Sequence, residues 1–536
     1  MPSSTSAPEQ SWSGLHLSLR AAPGAVDEFL VQEVAPLLDD LVRTGAATAW
    51  SFVRADEGPG RGHPQLRVRL RGALPGAAAA LARSPKVARA TEVTEVEAAP
   101  EDPGGALAVC ASRIAVEVVT VTGRGSGRLA AAVDLAHATA WALGMGRFES
   151  ARWLRGRAGR SPRPTAGAEA DEAVAGLPGA VVHAQVNAVH AAQREGLAGR
   201  AAALREDLER GAAAGPVARW AAAVREADER EGGGSGAARA REAVWAARLH
   251  ELFGRLGTAP DEERAVRLLA AHALLDAGQP ASHFPTGHLA PDHQYVERSK
   301  FRIGREHEIV PRHAPPEELP AGPEVDLPAG PVPDVTLRAA VAGRRTVRGS
   351  LTGPLTAAGL GALLWGAHAV SHTSGADPLV AHRPYPSAGA LYTAGLRLFA
   401  LGVEGLAPGT YHCVPDRRAL RRVADAPSLD EIEALSAYTS APPDDPRAVI
   451  VDGAPAVLGL YVDLGRLRRR YGLRALRMGL LEAGHLAQSL LLTASALGLA
   501  STPLGGFRDD LAHELFGLDG LDQPLQYLLP IGRPPA

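Results

Sequence analysis

Cysteine is almost absent. Cys110 and Cys413 are the two in 536 residues, far apart and without a C-x-x-C or Cys/His ligand spacing. Neither a disulfide framework nor a structural zinc site is expected, and no metal site is. Charge of one sign is not in excess either: 56 Lys plus Arg stand against 59 Asp plus Glu, a formal charge of −3. That excludes bulk attraction to nucleic acid or to an anionic membrane surface. Long apolar runs are missing. The stretch around Leu360 to Val370 is short and broken by Gly and His, well under the roughly 20 residues that span a bilayer. The N-terminus has no basic region followed by an apolar run, so it does not read as a signal peptide. These absences predict a cytoplasmic protein with no membrane partner. Lysine is scarce, and the Ala, Arg, Gly and Pro bias reads as the codon drift of a GC-rich genome, with little bearing on mechanism.

The length predicts two or more domains, since one hydrophobic core does not extend over so long a chain. Gly14 to Leu19 alternates like a strand, and Val26 to Val42 carries Phe29, Leu30, Val34, Leu37, Leu38 and Leu41 at helical spacing. Thr48 to Arg54 and Leu66 to Leu70, separated by a Gly/Pro/Asp turn, read as a hairpin. A third strand is expected around Ile114 to Val121, then helices over Arg128 to Leu143 and Ala180 to Leu197. This makes residues 1–200 an α+β domain. Residues 201–280, nearly all Ala, Arg, Glu and Leu, predict a helical extension. Residues 281–335 are dense in Pro, His and Gly, which suits a linker or an arm wrapping a neighbour. Residues 336–536 form a second α+β block. Its expected helices enter at Thr336 and cover Leu355 to Val370, Leu429 to Ala437 and Arg474 to Leu497. Its expected strands cover Thr393 to Gly402, Arg447 to Val451, Val457 to Val462 and Leu525 to Ile531.

Three arginines in five residues, Arg344, Arg345 and Arg348, open this last block. Each presents a planar fork of donors that matches a phosphate. The segment from Arg383 to Tyr392 reads R-P-Y-P-S-A-G-A-L-Y. Its prolines fix the backbone, and the small residues after them let main-chain N–H groups approach a planar ring, as a flavin requires. Together with G-L-x-P-G-x-Y-H (Gly405 to His412), L-E-A-G-H-L-A-Q (Leu481 to Gln488) and Gly505-Gly506-Phe507, the pattern resembles the SagB-type azoline dehydrogenases of the nitroreductase superfamily. The resemblance implies FMN, a homodimer with active sites at the subunit interface, and oxidation of peptide thiazolines or oxazolines to azoles. It places Arg344, Arg345, Arg348 and Arg533 on the phosphate and ribityl chain. Pro386, Ser387, Ala388 and Gly389 would border the ring, with Gln488, Gly505 and Gly506 completing the pocket. The family's Lys-Tyr pair is Arg470-Tyr471 here. Arginine stays protonated, so Tyr471 is the base candidate, with Arg470 beside it. His485, in an apolar helix, reads more readily as a packed, hydrogen-bonded residue than as a base.

In the first block, Arg67 and Arg69 are two apart on a strand and share a face. A cationic strand face suits an anionic leaving group, and equally a solvated edge strand. Trp12 to Arg71, Arg147 to Arg155 and His183 to Asn187 resemble the elimination domain of lantibiotic dehydratases. There an R-x-R strand and a later His act on glutamylated Ser or Thr, which assigns those parts to Arg67, Arg69 and His183. Two features depart from the family: its His before the R-x-R strand is Gln65, and its Y-E-P-E-x-x-R-Y-G-G stretch survives only as Val96-Glu97 and Asp102 to Gly105. Arg54 or Arg113 could stand in for the missing arginine.

The combined expectation is a bifunctional tailoring enzyme of a thiopeptide-like pathway, resembling the fused proteins of lactazole-type clusters. It would eliminate glutamate to give dehydroamino acids and oxidise azolines with FMN. Its partners would be a ribosomally made precursor peptide, a glutamylating dehydratase and a cyclodehydratase. Three alternatives stay open: an N-terminal half that only binds peptide or partner, a relative of the pyridine-forming cycloaddition enzymes, and a general nitroreductase.

Overall fold

The structure is a computed structural model that describes residues 12–20, 23–56, 64–72, 75–93, 105–156, 179–231, 238–276, 291–300, 317–375 and 380–534. The chain forms two compact units, Met1–Leu177 with Ala184–Gly278, and Pro178–His183 with Gln279–Ala536.

The first unit begins with β1 (Trp12–Leu19), α1 (Pro23–Phe29), a π-helical turn (Leu30–Val34) and α2 (Ala35–Arg43). Next come β2 (Ala47–Asp56), β3 (Pro64–Gly72), α3 (Pro75–Ala82) and β4 (Val87–Val93). The four strands make an antiparallel sheet in the order β2-β3-β1-β4. Alternation sorts its faces. Leu15, Leu17 and Leu19 of β1 join Leu66, Val68 and Leu70 of β3 in the core with Phe29 and Leu30, whereas His16, Arg67 and Arg69 lie on the other face. Helices follow: α4 (Ala106–Thr122), α5 (Ser126–Ala142), α6 (Arg147–Arg155), α7 (Gly179–Glu209), whose residues up to His183 belong to the second unit, α8 (Gly215–Arg230) and α9 (Ala238–Leu256), and α10 (Pro260–Leu275) ends the series.

The strand expected over Ile114 to Val121 is helix α4 instead. Its β-branched run suggested a strand, but the buried residues Leu107, Ala111, Ile114, Ala115 and Val118 recur every three to four positions. This helix covers the edge of β2, where the Phe52 N–H donates to Ser112 Oγ at 3.0 Å. A buried carboxylate, Asp27, receives Arg54 at 2.7 Å, Arg128 at 2.9 Å and Arg124 at 3.1 Å. Arg54 and Arg128 also donate to the carbonyls of Arg255 and Leu256. Together these bonds link α1, β2, α5 and the end of α9.

The second unit opens with α11 (Pro291–Arg298), β5 (Glu324–Asp326), α12 (Leu337–Gly343), β6 (Gly349–Ser350), β7 (Leu355–Thr356) and α13 (Ala357–His368). It continues through β8 (His372–Ser374), β9 (Val380–His382), β10 (Ala394–Ala400), β11 (Val403–Glu404), β12 (Gly409–Val414), β13 (Ala419–Ala424), α14 (Leu429–Glu433) and β14 (Val449–Ile450). The last elements are β15 (Ala456–Val462), α15 (Leu464–Tyr471), α16 (Ala475–Ala496), β16 (Ala500–Ser501), α17 (Asp509–Phe516) and β17 (Leu525–Gly532). The main sheet runs β16-β17-β15-β10-β12-β13-β5. β15 and most of β10 are buried on both faces, so they read as apolar runs without alternation. One face packs on α13 and α16 through Leu360, Leu364, Leu486 and Leu490. The other packs on α14 and α17, where Phe399 and Phe516 stack at 3.8 Å.

Residues 281–290 and 301–316 of the expected arm lie outside the described residues. Its described parts are ordered against the second unit. α11 sits on the start of α16, where Tyr295 hydroxyl accepts the Arg477 N–H at 2.9 Å. β5 extends the sheet beyond β13, the Leu327 carbonyl accepts the Trp365 indole N–H at 3.0 Å, and the Gly330 N–H donates to the Ala358 carbonyl.

At Gly361 a Cβ would lie 1.9 Å from the Pro328 carbonyl oxygen. Gly361→Ala should therefore destabilise the second unit by about 1–3 kcal/mol through backbone displacement. Gly254→Ala, in α9 with open space around the new methyl, should stabilise the first unit by about 0.5–1 kcal/mol through helix propensity. Urea denaturation of the two variants beside the wild type checks both signs.

Candidate functional sites

In the second unit, the segment between β9 and β10 is held by one carboxylate. Glu482 of α16 is 1% exposed; it accepts the Ser387 hydroxyl at 2.7 Å, the Ala394 N–H at 2.7 Å and the Thr393 hydroxyl at 3.4 Å. One turn further along α16, His485 is hydrogen-bonded as expected, with Nδ1 donating to the Pro386 carbonyl at 3.1 Å. It is exposed, however, not packed in the core. The turn is tight: Gly389, Ala390 and Tyr392 all have positive φ. A Cβ at Gly389 would fall 2.6 Å from the Tyr471 hydroxyl and 3.3 Å from the Arg470 guanidinium carbon. The structure thus brings Gly389, Arg470 and Tyr471 together. The Arg470 guanidinium carbon is 5.8 Å from the centre of the Tyr471 ring. Below the turn, Tyr385 hydroxyl lies 3.0 Å from His368 Nδ1. Burial, with Arg383 and His412 nearby, holds His368 well below the ordinary histidine range, so the neutral imidazole accepts this bond.

The arginines gather elsewhere. Thr346 bridges Ser501 of β16, Ser501 pairs with Ile531 of β17, and Thr352 bridges Arg533. Arg345, Arg348 and Arg533 are thereby drawn to one edge of the sheet. Arg344 and Arg345 line a cavity of about 430 Å³ with Ser495, Ser501 and Pro534. Arg348 lies over the Tyr438 ring at 5.0 Å. Tyr438 lines a second cavity of about 410 Å³ with Arg447, Gly506 and Phe507. From His485, beside Pro386, to Ser495, beside Arg344, α16 rises about 15 Å at its usual rise per residue. Gln488 lies exposed between the two. The expected cofactor residues thus spread along α16, not around one closed pocket. Leucines are exposed at the start of α16 and in the turn just before it: Leu473 of that turn and Leu476, Leu480 and Leu481 of the helix are 57%, 36%, 50% and 60% exposed.

In the first unit, Arg67 and Arg69 line a cavity of about 250 Å³ with Trp12, Ser51, Trp220, Arg248, Glu251 and Arg255, among others. Arg248 and Arg255 come from α9, in the region read from sequence only as a helical extension. Arg54, a possible stand-in for the missing family arginine, is committed to Asp27. Residues 94–104, which hold all of the Y-E-P-E remnant except Gly105, lie outside the described residues. His183 belongs to the second unit, where its buried Nε2 is 2.7 Å from Glu514 Oε2 of α17. A helical offset such as H-x-x-x-N places two residues on one helix face but does not say what that face meets. Sequence reasoning gave no role to Glu482, Arg248 or Arg255. A glutamate inside the apolar run of α16 was the available signal for the first; nothing marked the two arginines among their many neighbours.

Comparison with known proteins agrees with the second unit's architecture. The nitroreductase family pattern matches residues 341–533. MJ1384 of Methanocaldococcus jannaschii, named as a nitroreductase, is 30% identical over 212 residues, 40% of this chain and 98% of that protein. The microcin B17-processing protein McbC of Escherichia coli is 30% identical over 154 residues, 28% of this chain and 54% of that one. Among solved structures, the pyridine synthase TbtD from thiomuracin biosynthesis aligns with 50% of this chain and 98% of its own at 18% identity and a TM-score of 0.39. Through its C-terminal unit, this chain belongs to the nitroreductase family.

Proposed function

We propose that the chain is a bifunctional tailoring enzyme for a ribosomally made peptide. The second unit would oxidise thiazolines or oxazolines to azoles with FMN, and the first would eliminate glutamate from glutamylated Ser or Thr. The observation that carries the oxidative half is the meeting of Tyr471, Arg470 and the Gly389 turn, with Glu482 fixing the turn. The likeness to a microcin-processing protein favours a peptide substrate.

The residues fit a flavin mononucleotide. Arg344, Arg345, Arg348 and Arg533 supply phosphate-matching forks, and the Gly505 backbone stands in open space where a ring can approach. When bound, FMN supplies the two-electron acceptor for the oxidation. Tyr471 takes the azoline proton, and Arg470, which stays charged, sets a fixed cation beside the phenol ring. Ser387, Ala388 and Gly389 orient the reacting face because Glu482 leaves their turn no freedom. The spread of these residues along α16 favours a second copy completing the site, and the exposed leucines of α16 give it an apolar surface to cover.

A non-catalytic, peptide-binding first unit is the second reading, favoured by the pairing of His183 with Glu514. Glutamylated peptide offered to the purified chain separates the two, since a binding module returns it unchanged. No helix among the described residues is long and apolar enough to cross a membrane.

Four outcomes are expected. Purified protein should show flavin absorption bands and release FMN on heating, and Arg533→Ala should weaken FMN binding about 10-fold or more, as loss of a charge-assisted hydrogen bond does. Tyr471→Phe should retain FMN and lose azole formation by about 10²–10⁴-fold, the usual range for a general base; an undiminished rate would remove Tyr471 from the mechanism. Glu482→Ala, which strands the Ala394 N–H and Ser387 hydroxyl, should cost about 1–3 kcal/mol per stranded group in urea denaturation, and Glu482→Gln less. Leu480→Asp combined with Leu481→Asp should give monomers by analytical ultracentrifugation and lose FMN with them.

A further inference from the structure

The sheet of the first unit presents one face with cations and no carboxylate. β1 contributes Trp12, Gly14, His16 and Ser18; β3 contributes Gln65, Arg67, Arg69 and Arg71; β4 contributes Arg89, Thr91 and Val93. Ser51 and Val53 of β2 continue the face beside Arg69 and Arg67. The cavity lies over its β2 and β3 side. Its four arginines differ in commitment. Arg248 pairs with Glu231 and Arg255 with Glu251, whereas the side chains of Arg67 and Arg69 make no hydrogen bond or ion pair among the described residues. Two such cations at a cavity are poised for an anion.

His16 is the direct cross-strand partner of Arg67, which sets their Cβ atoms about 5 Å apart on the shared face. It is half-buried, one strand beyond the cavity wall. We propose that His16 is the base of this unit, taking the α-proton of a peptide residue whose glutamyl ester group, the leaving carboxylate, is held by Arg67 and Arg69. The assignment rests on the elimination reading above and moves the imidazole's part from His183 to His16. In the step, the Cα–H pair becomes the Cα=Cβ bond, the Cβ–O pair departs with the carboxylate, and the proton ends on the imidazole. Arg67 and Arg69 hold the carboxylate as its charge develops.

The surroundings keep the base free. Burial first, then Arg67 and Arg69, hold His16 below the ordinary histidine range. Arg71 and Arg89 also lie on this face; the carboxylate lining the cavity, Glu251, is paired with Arg255. At neutral pH the ring is therefore unprotonated and can accept. A peptide reaching this base would cross the half-buried face of β1 and β3.

The test uses the full chain, a glutamylated peptide and mass spectrometry, with thermal unfolding as the control for folding. His16→Ala and His16→Asn should each slow elimination about 10²–10⁴-fold, and added imidazole should restore much of the rate to His16→Ala. In the wild type the rate should rise with pH through a midpoint below about 6.5, the ordinary histidine value, and that midpoint should move to the rescuing imidazole's in the variant. Elimination undiminished in folded His16→Ala overturns the assignment while leaving the elimination reading intact. Loss in His183→Gln with retention in His16→Ala overturns it and returns the part to His183. A wild type that leaves the glutamylated peptide unchanged removes both the assignment and the reading beneath it.

Discussion

The candidate oxidative site depends on a carboxylate that pairs with no cation among the described residues. Glu482 is buried on α16 and is met by a backbone N–H and two hydroxyls. Burying a charge costs several kcal/mol unless hydrogen bonds replace its water. Here those bonds come from the two ends of one turn, Ser387 at its start and Ala394 where β10 begins. The desolvation cost is thus tied to a loop closure. A turn with positive φ at Gly389, Ala390 and Tyr392 would otherwise relax, because two of these residues have side chains that disfavour that region.

Positive charge is handled differently in the first unit. Asp27 faces three guanidiniums, Arg54, Arg124 and Arg128, and Arg54 and Arg128 together lower its pKa by more than burial raises it. Backbone carbonyls at the end of α9 take up remaining donors. These cations are structural, tied to Asp27 and to main-chain carbonyls of the same unit. Arg67 and Arg69, one strand away from Arg54, are spent on nothing described. The contrast separates arginines that hold the fold from those available to a ligand, a distinction that composition could not draw among so many.

What could be read from sequence followed the range of the interactions. The hairpin of β2 and β3, the helices α5 and α13, and the strands β10, β15 and β17 came from local periodicity, and the structure contains them. The strand expected over Ile114 to Val121 is a helix because burial every three to four residues in α4 prevails over the β-branched run. The turn from Arg383 to Tyr392 and its neighbour Tyr471 were legible because proline, glycine and a motif marked them. Glu482 as their clasp was not, since its partners lie about 90 residues away in sequence. His16 was invisible for a related reason: only the β1–β3 register sets it beside Arg67, and register is not written in either strand alone.

The Arg470-Tyr471 pair bears on how the proposed oxidation can work. Where the resembled family has a lysine, either member of the pair could take the proton. An arginine cannot, so the acceptor role falls to the phenol. The geometry is consistent with that division, because the Tyr471 hydroxyl is the nearest atom to where a side chain at Gly389 would begin, and the guanidinium stands behind it. Arginine keeps the local charge fixed across the pH range in which a lysine would change it. The cost is a bulky planar group beside the turn, and glycine at 389 is what makes room for it. The arginine, the tyrosine and the glycine are thus one steric and electrostatic arrangement: returning lysine to position 470 would relieve crowding and add a second titratable group, so the pH dependence of proton removal would change from one ionisation to two.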